Sequence, residues 1–259
     1  MVYWRIIQKS YRRNLQYRLS HFINNIASSI FGLVFIAIWA GVLEGREADS
    51  PYSMETMGHY ITLSQCVLWV STFLTPGLGI QTGVRSGAVS LDLMRPVHYF
   101  LYVISHELGK VGYNALYRSI PIGGVLGLFV GFSFPDQPVT YLLASLSLLL
   151  AVYLGLLLFF LTGITSFWTT EIRWAHYIVI TLIFGLGGQM IPVNLLPGWL
   201  GEIAPYLPFA GVLYYPVMIY LEQVSPSGLL IQLGWGLALT IAALAVTQKA
   251  RRKIEIQGG

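Results

Sequence analysis

VTYLLASLSLLLAVYLGLLLFFLTGITSFW, running from Val139 to Trp168, holds no charged side chain from end to end. A hydrocarbon core about 30 Å thick needs roughly 20 apolar residues in a helix. This stretch is long enough to span and then tilt or continue past the bilayer. Working outward, Phe22 to Leu43, Tyr60 to Val84 and Val224 to Gln248 are each uncharged and of spanning length. Ser119 to Pro135 is shorter and borrows length from Gly112 to Tyr117. Ala175 to Gly201 is long enough, but Pro192 and Pro197 interrupt it. The reading is an all-α integral membrane protein with six transmembrane helices. Ile203 to Leu221 is also uncharged, but it carries Pro205, Pro208 and Pro216. Each proline removes a helix donor. Pro192 to Tyr220 is therefore expected to form a re-entrant or interfacial outer segment before the last span. Broken backbone at membrane depth survives only when packed in protein or lining a cavity.

The charge map agrees with this count. Charged residues are 10 % of the chain, against roughly 25 % in soluble domains. Fourteen of the 15 Lys and Arg fall on one side of the six spans. Only Arg46 falls on the other, among Glu44, Glu47, Asp49 and Glu55. Basic loops stay cytoplasmic. Both termini are thus expected inside a cell (inner) membrane, and a seventh span would export the Lys249 to Lys253 tail. The net charge of +4 faces anionic headgroups and is not a nucleic-acid signal. Cys66 is the sole cysteine, which excludes a disulfide framework and a cysteine metal set.

The start of the chain differs from the rest. Tyr3, Ile7, Tyr11, Leu15 and Leu19 recur at every fourth position, with Arg5, Lys9, Arg12, Arg13 and Gln16 opposite. That pattern predicts an amphipathic interfacial helix over residues 1–20. The long basic region and the full-length span after it do not fit a cleavable signal peptide. Residues 21–259 are expected to form a single six-span domain.

The chain lacks the motifs of several chemistries. Its one Gly-Lys, Gly109-Lys110, is followed by Val111 and makes no phosphate-binding loop. No His-Glu-x-x-His or Gly-x-Ser-x-Gly occurs, so no metal site or catalytic residue is nominated. The centres of the predicted spans carry no ionisable residue, which weakens a proton- or sodium-coupled mechanism. Asn24, Asn25, Gln65, Gln189 and Asn194 are the polar candidates there. They either line a pathway or bond one helix to another.

The inner loop after the second span reads RSGAVSLDLMRP, Arg85 to Pro96. Ser86-Gly87 can stop the span, Ser90 can N-cap a short helix and Pro96 favours a break. Leu91, Leu93 and Met94 are apolar beside Asp92 and Arg95. The loop is either a docking knob for a soluble partner or a plain connection. Beyond it, Glu107 and Lys110 stand at i and i+3 on the predicted helix Tyr99 to Arg118. They are either snorkelling charges or a lever between the cytoplasmic loop and the spans.

Together these residues resemble the permeases of ABC type-2 transporters, in particular a bacterial subfamily of that clan. The likeness covers essentially the whole chain. It rests on the basic start leading into Asn24 and Asn25, and on Gly87 through Leu91-Asp92-Leu93-Met94-Arg95-Pro96. It rests also on Gly187-Gly188 through Ile191-Pro192 and Leu196-Pro197, and on Leu207-Pro208-Phe209 with Tyr215-Pro216. The resemblance implies half of a transmembrane pore, completed by a second permease of the same or similar sequence. It implies a separate cytoplasmic ATPase that holds ATP and Mg, with no cofactor on this chain. Gly87 to Pro96 would be the ATPase-coupling helix. Arg5, Lys9, Arg12 and Arg13 would share the docking face. The small outer loops favour export of a hydrophobic or amphipathic substrate. A secondary transporter or channel, an intramembrane enzyme and a non-catalytic membrane assembly protein are the alternatives.

Overall fold

A computed structural model describes residues 2–16, 18–169 and 171–257. Met1, Tyr17, Thr170, Gly258 and Gly259 lie outside the described residues, as do the side chains of Arg18, Leu19, Asp49 and Lys253 that entered the readings above. All described secondary structure is helical. Among the described residues four helical stretches are long and apolar enough to cross a membrane: His21–Leu43, Met54–Ser86, Pro138–Phe167 and Gly228–Arg252.

Helix α1 (Val2–Asn14) lies against α6 (Tyr99–Asn114). A Cβ on Gly109 would stand 2.4 Å from the Ile7 carbonyl oxygen, so glycine sets how close the two helices come. The start helix ends earlier than the sequence pattern predicts. The Asn14 side chain turns back onto the Ser10 carbonyl at 2.9 Å, and a turn at Leu15 and Gln16 precedes α2 (Arg18–Leu43). Asparagine competes with helical backbone in this way.

The second apolar run is not one straight helix. Ser53 accepts from the Thr56 backbone N–H at 3.1 Å and opens α3 (Met54–Ser71). The helix stops before Pro76 and resumes as α4 (Ile80–Ser86). Gly77 and Gly79 take φ of 52° and 76° in the gap, a region glycine enters freely. Gly87, at φ 74°, then hinges α4 onto α5 (Ala88–Leu93). Ser90 is therefore inside α5 and not its N-cap, because the glycine starts the helix earlier.

Helix α6 passes through a π-turn (Ala115–Ser119) into α7 (Ile120–Val130). Helix α8 (Pro138–Ile164) occupies the centre, packed against α3, α11 (Tyr214–Tyr220) and α12 (Gly228–Gln257). Apolar burial does not by itself drive helices together in lipid, and small residues permit the contact. Cβ atoms on Gly155 and Gly163 of α8 would sit 2.0 Å from the carbonyl oxygens of Ser71 and Gly77. The broken end of α3 thus rests backbone to backbone on α8.

The run Ala175 to Gly201 is also shorter as a helix than as an apolar stretch. Helix α9 (Arg173–Leu186) ends where Gly187 and Gly188 follow, Gly188 at φ 86°. The next residues form short turns, α10 (Trp199–Ile203) and α11. This segment is packed in protein: Val193, Ala204, Ala210, Val212 and Leu213 are buried. Gln232 Nε2 donates to the Gly211 carbonyl at 2.8 Å and to the Ser147 carbonyl at 3.0 Å, while Ser147 Oγ donates to Gln232 Oε1 at 2.8 Å. Those bonds satisfy irregular backbone away from water.

Candidate functional site

One end of the molecule gathers α1, α5 and the start of α6. Its loop presents apolar side chains outward, with Leu91 68 % and Met94 81 % exposed. Val89, by contrast, is buried, so α5 is anchored by one side chain and displays others. Asp92 Oδ1 accepts from Arg95 Nε at 3.0 Å. The Arg95 guanidinium also lies 5.2 Å from the centre of the Tyr102 ring on α6. Tyr3 accepts at its hydroxyl from the His98 backbone N–H at 3.3 Å, so α1 holds the exit of this loop.

Beside α5 lies a groove of about 510 Å³, lined by Ile6, Lys9, Ser10, Arg12, Arg13, Gln16, Arg95, Tyr102 and His106. No carboxylate is among these lining residues. Burial first, then the Arg13 charge, pushes the His106 imidazole below its usual value. Lys9, Arg12, Arg13 and Arg95 give the groove its positive charge, with Arg95 paired to Asp92 at its edge. Arg5 is exposed on α1 but does not line the groove.

The Glu107–Lys110 pair forms, at 3.4 Å, and it faces the gap after α3. Glu107 Oε1 accepts from the Thr75 backbone N–H at 2.7 Å, and Lys110 Nζ donates to Thr75 Oγ1 at 3.1 Å. The Glu107 side chain is 3 % exposed. Two charges one helical turn apart thus clamp the residue just before Pro76, between α3 and α4.

A second clamp was not visible in the sequence. Glu171 accepts from the Arg173 backbone N–H at 2.9 Å, from Gln81 at 3.3 Å and from Arg85 at 3.1 Å. These bonds, the Arg173 N–H foremost, hold its carboxyl below the usual range. A depressed carboxylate value contributes stability above its unfolded value of about 4.3, and that contribution is lost as pH falls through the folded value. Protection of the Arg173 amide, relative to the intrinsic exchange rate at each pH, should therefore fall below about pH 4, and Glu171→Gln should show the same loss of protection at neutral pH. Unchanged protection in both tests would remove the clamp.

The five polar candidates are not brought into one path. Asn25 Nδ2 donates to the Tyr117 carbonyl at 2.8 Å, near the start of α2, and Asn24 is half-buried beside it. Gln65 is buried in α3 against Gly32. Asn194 donates to the Tyr52 hydroxyl at 2.8 Å and accepts from Tyr214 at 3.4 Å. Gln189 is 1 % exposed, with neither amide atom partnered among the described residues. Asn25 and Asn194 join one segment to another. Gln232 was not among the sequence candidates, and Arg118 read there as a charge at a membrane boundary, whereas it is buried. Gln232 lay inside an uncharged run, and Arg118 sat at the edge of a predicted span.

Residues 18–258 match the family described as ABC-2 family transporter protein. No curated protein matches the sequence.

Proposed function

The chain belongs to the ABC-2 family of transporter proteins, and we propose that it is the permease subunit of an ATP-driven exporter for a hydrophobic or amphipathic substrate. The family's members are multi-pass membrane transport subunits that work with a separate ABC ATPase. In this reading ATP and Mg bind on that partner, and two permeases complete the pathway. The four long stretches supply four crossings. The π-turn with α7 supplies another, and α9 with the packed re-entrant segment supplies the last. Both termini then lie on the cytoplasmic side.

The observation that carries the proposal is α5. It is a short helix hinged at Gly87, anchored by Val89, and it exposes Leu91 and Met94 beside a cationic groove. Exposed apolar side chains rimmed by charge suit a protein partner. Gly87, Leu91, Asp92, Leu93, Met94, Arg95 and Pro96 form the coupling element, and Lys9, Arg12 and Arg13 add electrostatic docking. Motion of the ATPase pushes α5 and α4. The Glu107–Lys110 clamp on Thr75 and the Gly77–Gly163 contact pass that motion to α6 and α8.

Co-purification with the ATPase tests this. Met94→Asp, which inserts a charge into the apolar contact, should cut ATPase retention by about tenfold or more. Arg12→Glu with Arg13→Glu should weaken it comparably at low salt and less at high salt. The exposed Asp92–Arg95 pair contributes at most about 1 kcal/mol to stability. Asp92→Ala and Arg95→Ala should thus leave the fold intact while ATP hydrolysis no longer drives export. Normal export by both would sink the coupling role.

A further inference from the structure

Arg118 sits in the π-turn between α6 and α7 at 7 % exposure, and among the described residues it forms no ion pair with a carboxylate. Single π-turns in α-helices often mark functional sites. The guanidinium lies over the Trp69 ring, 4.0 Å from its centre. Its Nη2 meets Nδ1 of His21. The other ring nitrogen of His21, Nε2, lies 3.2 Å from the Asn14 carbonyl oxygen. A carbonyl only accepts, so Nε2 carries the proton and Nδ1 accepts from Arg118. His21 is therefore neutral and brings no counter-charge. A guanidinium has two forks, Nε with Nη2 and Nη1 with Nη2. His21 uses one hydrogen of Nη2, which leaves one fork whole. Neither Nε nor Nη1 has a partner among the described residues.

The Trp69 face offsets part of the cost of burying this cation, no carboxylate among the described residues offsets the rest, and a free guanidinium fork matches phosphate geometry. A groove of about 460 Å³ is lined by Leu15, His21, Phe22, Asn25, Tyr113 and Tyr117, and the buried guanidinium stands behind two of these, its partner His21 and its chain neighbour Tyr117. The groove lies where the α1–α2 turn meets the first apolar span, which under the proposed topology is the depth of lipid headgroups. Phe22 and Tyr117 are exposed at its rim. Asn25 Oδ1 is buried and unpartnered among the described residues, an acceptor suited to a headgroup ammonium or hydroxyl.

We propose that Arg118 binds a phosphate group at the seam of α2 and the π-turn, carried either by a phospholipid headgroup or by free inorganic phosphate. The test is native mass spectrometry of the full chain in neutral detergent. Phosphatidylethanolamine, a galactosyl diacylglycerol with the same acyl chains, and inorganic phosphate are offered separately and together. The wild type should retain the phospholipid about tenfold over the glycolipid. Arg118→Gln should lose that preference, and Arg118→Lys should keep part of it. Preference that survives excess inorganic phosphate assigns the headgroup. Arg118-dependent binding of inorganic phosphate without lipid preference assigns the free anion. A wild type with neither lipid preference nor phosphate binding overturns the proposal, whether or not Arg118→Gln folds. So does a folded Arg118→Gln that binds as the wild type does.

Discussion

Gly163→Ala is expected to lower stability by about 1–3 kcal/mol and to abolish transport. The added methyl would stand 2.0 Å from the Gly77 carbonyl oxygen, and backbone cannot swing aside as a side-chain tip can. Gly155→Ala meets the Ser71 carbonyl at the same distance and should behave alike. Gly124→Ala and Gly185→Ala are the controls, because a Cβ there meets nothing within 4 Å. In a helix those changes should be neutral or stabilise by up to about 1 kcal/mol. Thermal unfolding in detergent, with transport in proteoliposomes, separates the two pairs. If all four variants behave alike, the backbone contact between α8 and the gap after α3 has no special role.

Why that contact escaped the sequence is instructive. Long uncharged runs report a membrane environment, since charges are costly there, and they placed α2, α8 and α12 closely. The same uniformity hides breaks. Thr75-Pro76-Gly77-Leu78-Gly79 carries a proline and two glycines, a strong local signal, but it lies inside an uncharged run of spanning length. Hydropathy outweighed it. The i, i+3 spacing of Glu107 and Lys110 showed that they pair. Their shared partner Thr75 is 32 residues from Glu107, and no local pattern reveals it. Arg118 looked like a boundary charge, whereas its burial depends on the π-turn and on Trp69 and His21 from two other helices. The α5 loop was the most legible part of the candidate site, because its exposed Leu91 and Met94 need no distant partner to be noticed.

The Glu107–Lys110 clamp gives the other large expected effect. Glu107→Ala strands a Lys110 whose side chain is only 27 % exposed and frees the Thr75 N–H. Breaking one side of a buried pair costs about 3–5 kcal/mol. For a chain of this size that is a fall of about 6–20 °C in Tm. Lys110→Ala strands Glu107, whose side chain is 3 % exposed, without its counter-charge, and should cost at least as much. Glu107→Leu with Lys110→Leu removes both charges together, and apolar replacements of buried pairs are often near neutral. The double variant should therefore be more stable than Glu107→Leu alone, and the cycle it forms with the two single leucine variants should be non-additive, with a coupling of about 1–3 kcal/mol. Additive losses would show that the two charges act separately. Transport then distinguishes a packing role from a mechanical one. If the clamp only fills space, the double-leucine variant regains export with its stability. If the clamp carries motion from α5 to α6, the variant stays folded, binds the ATPase and hydrolyses ATP without moving substrate. The second outcome is expected, because leucines in place of the pair give Thr75 neither an acceptor nor a donor. The gap between α3 and α4 then loses its tie to α6.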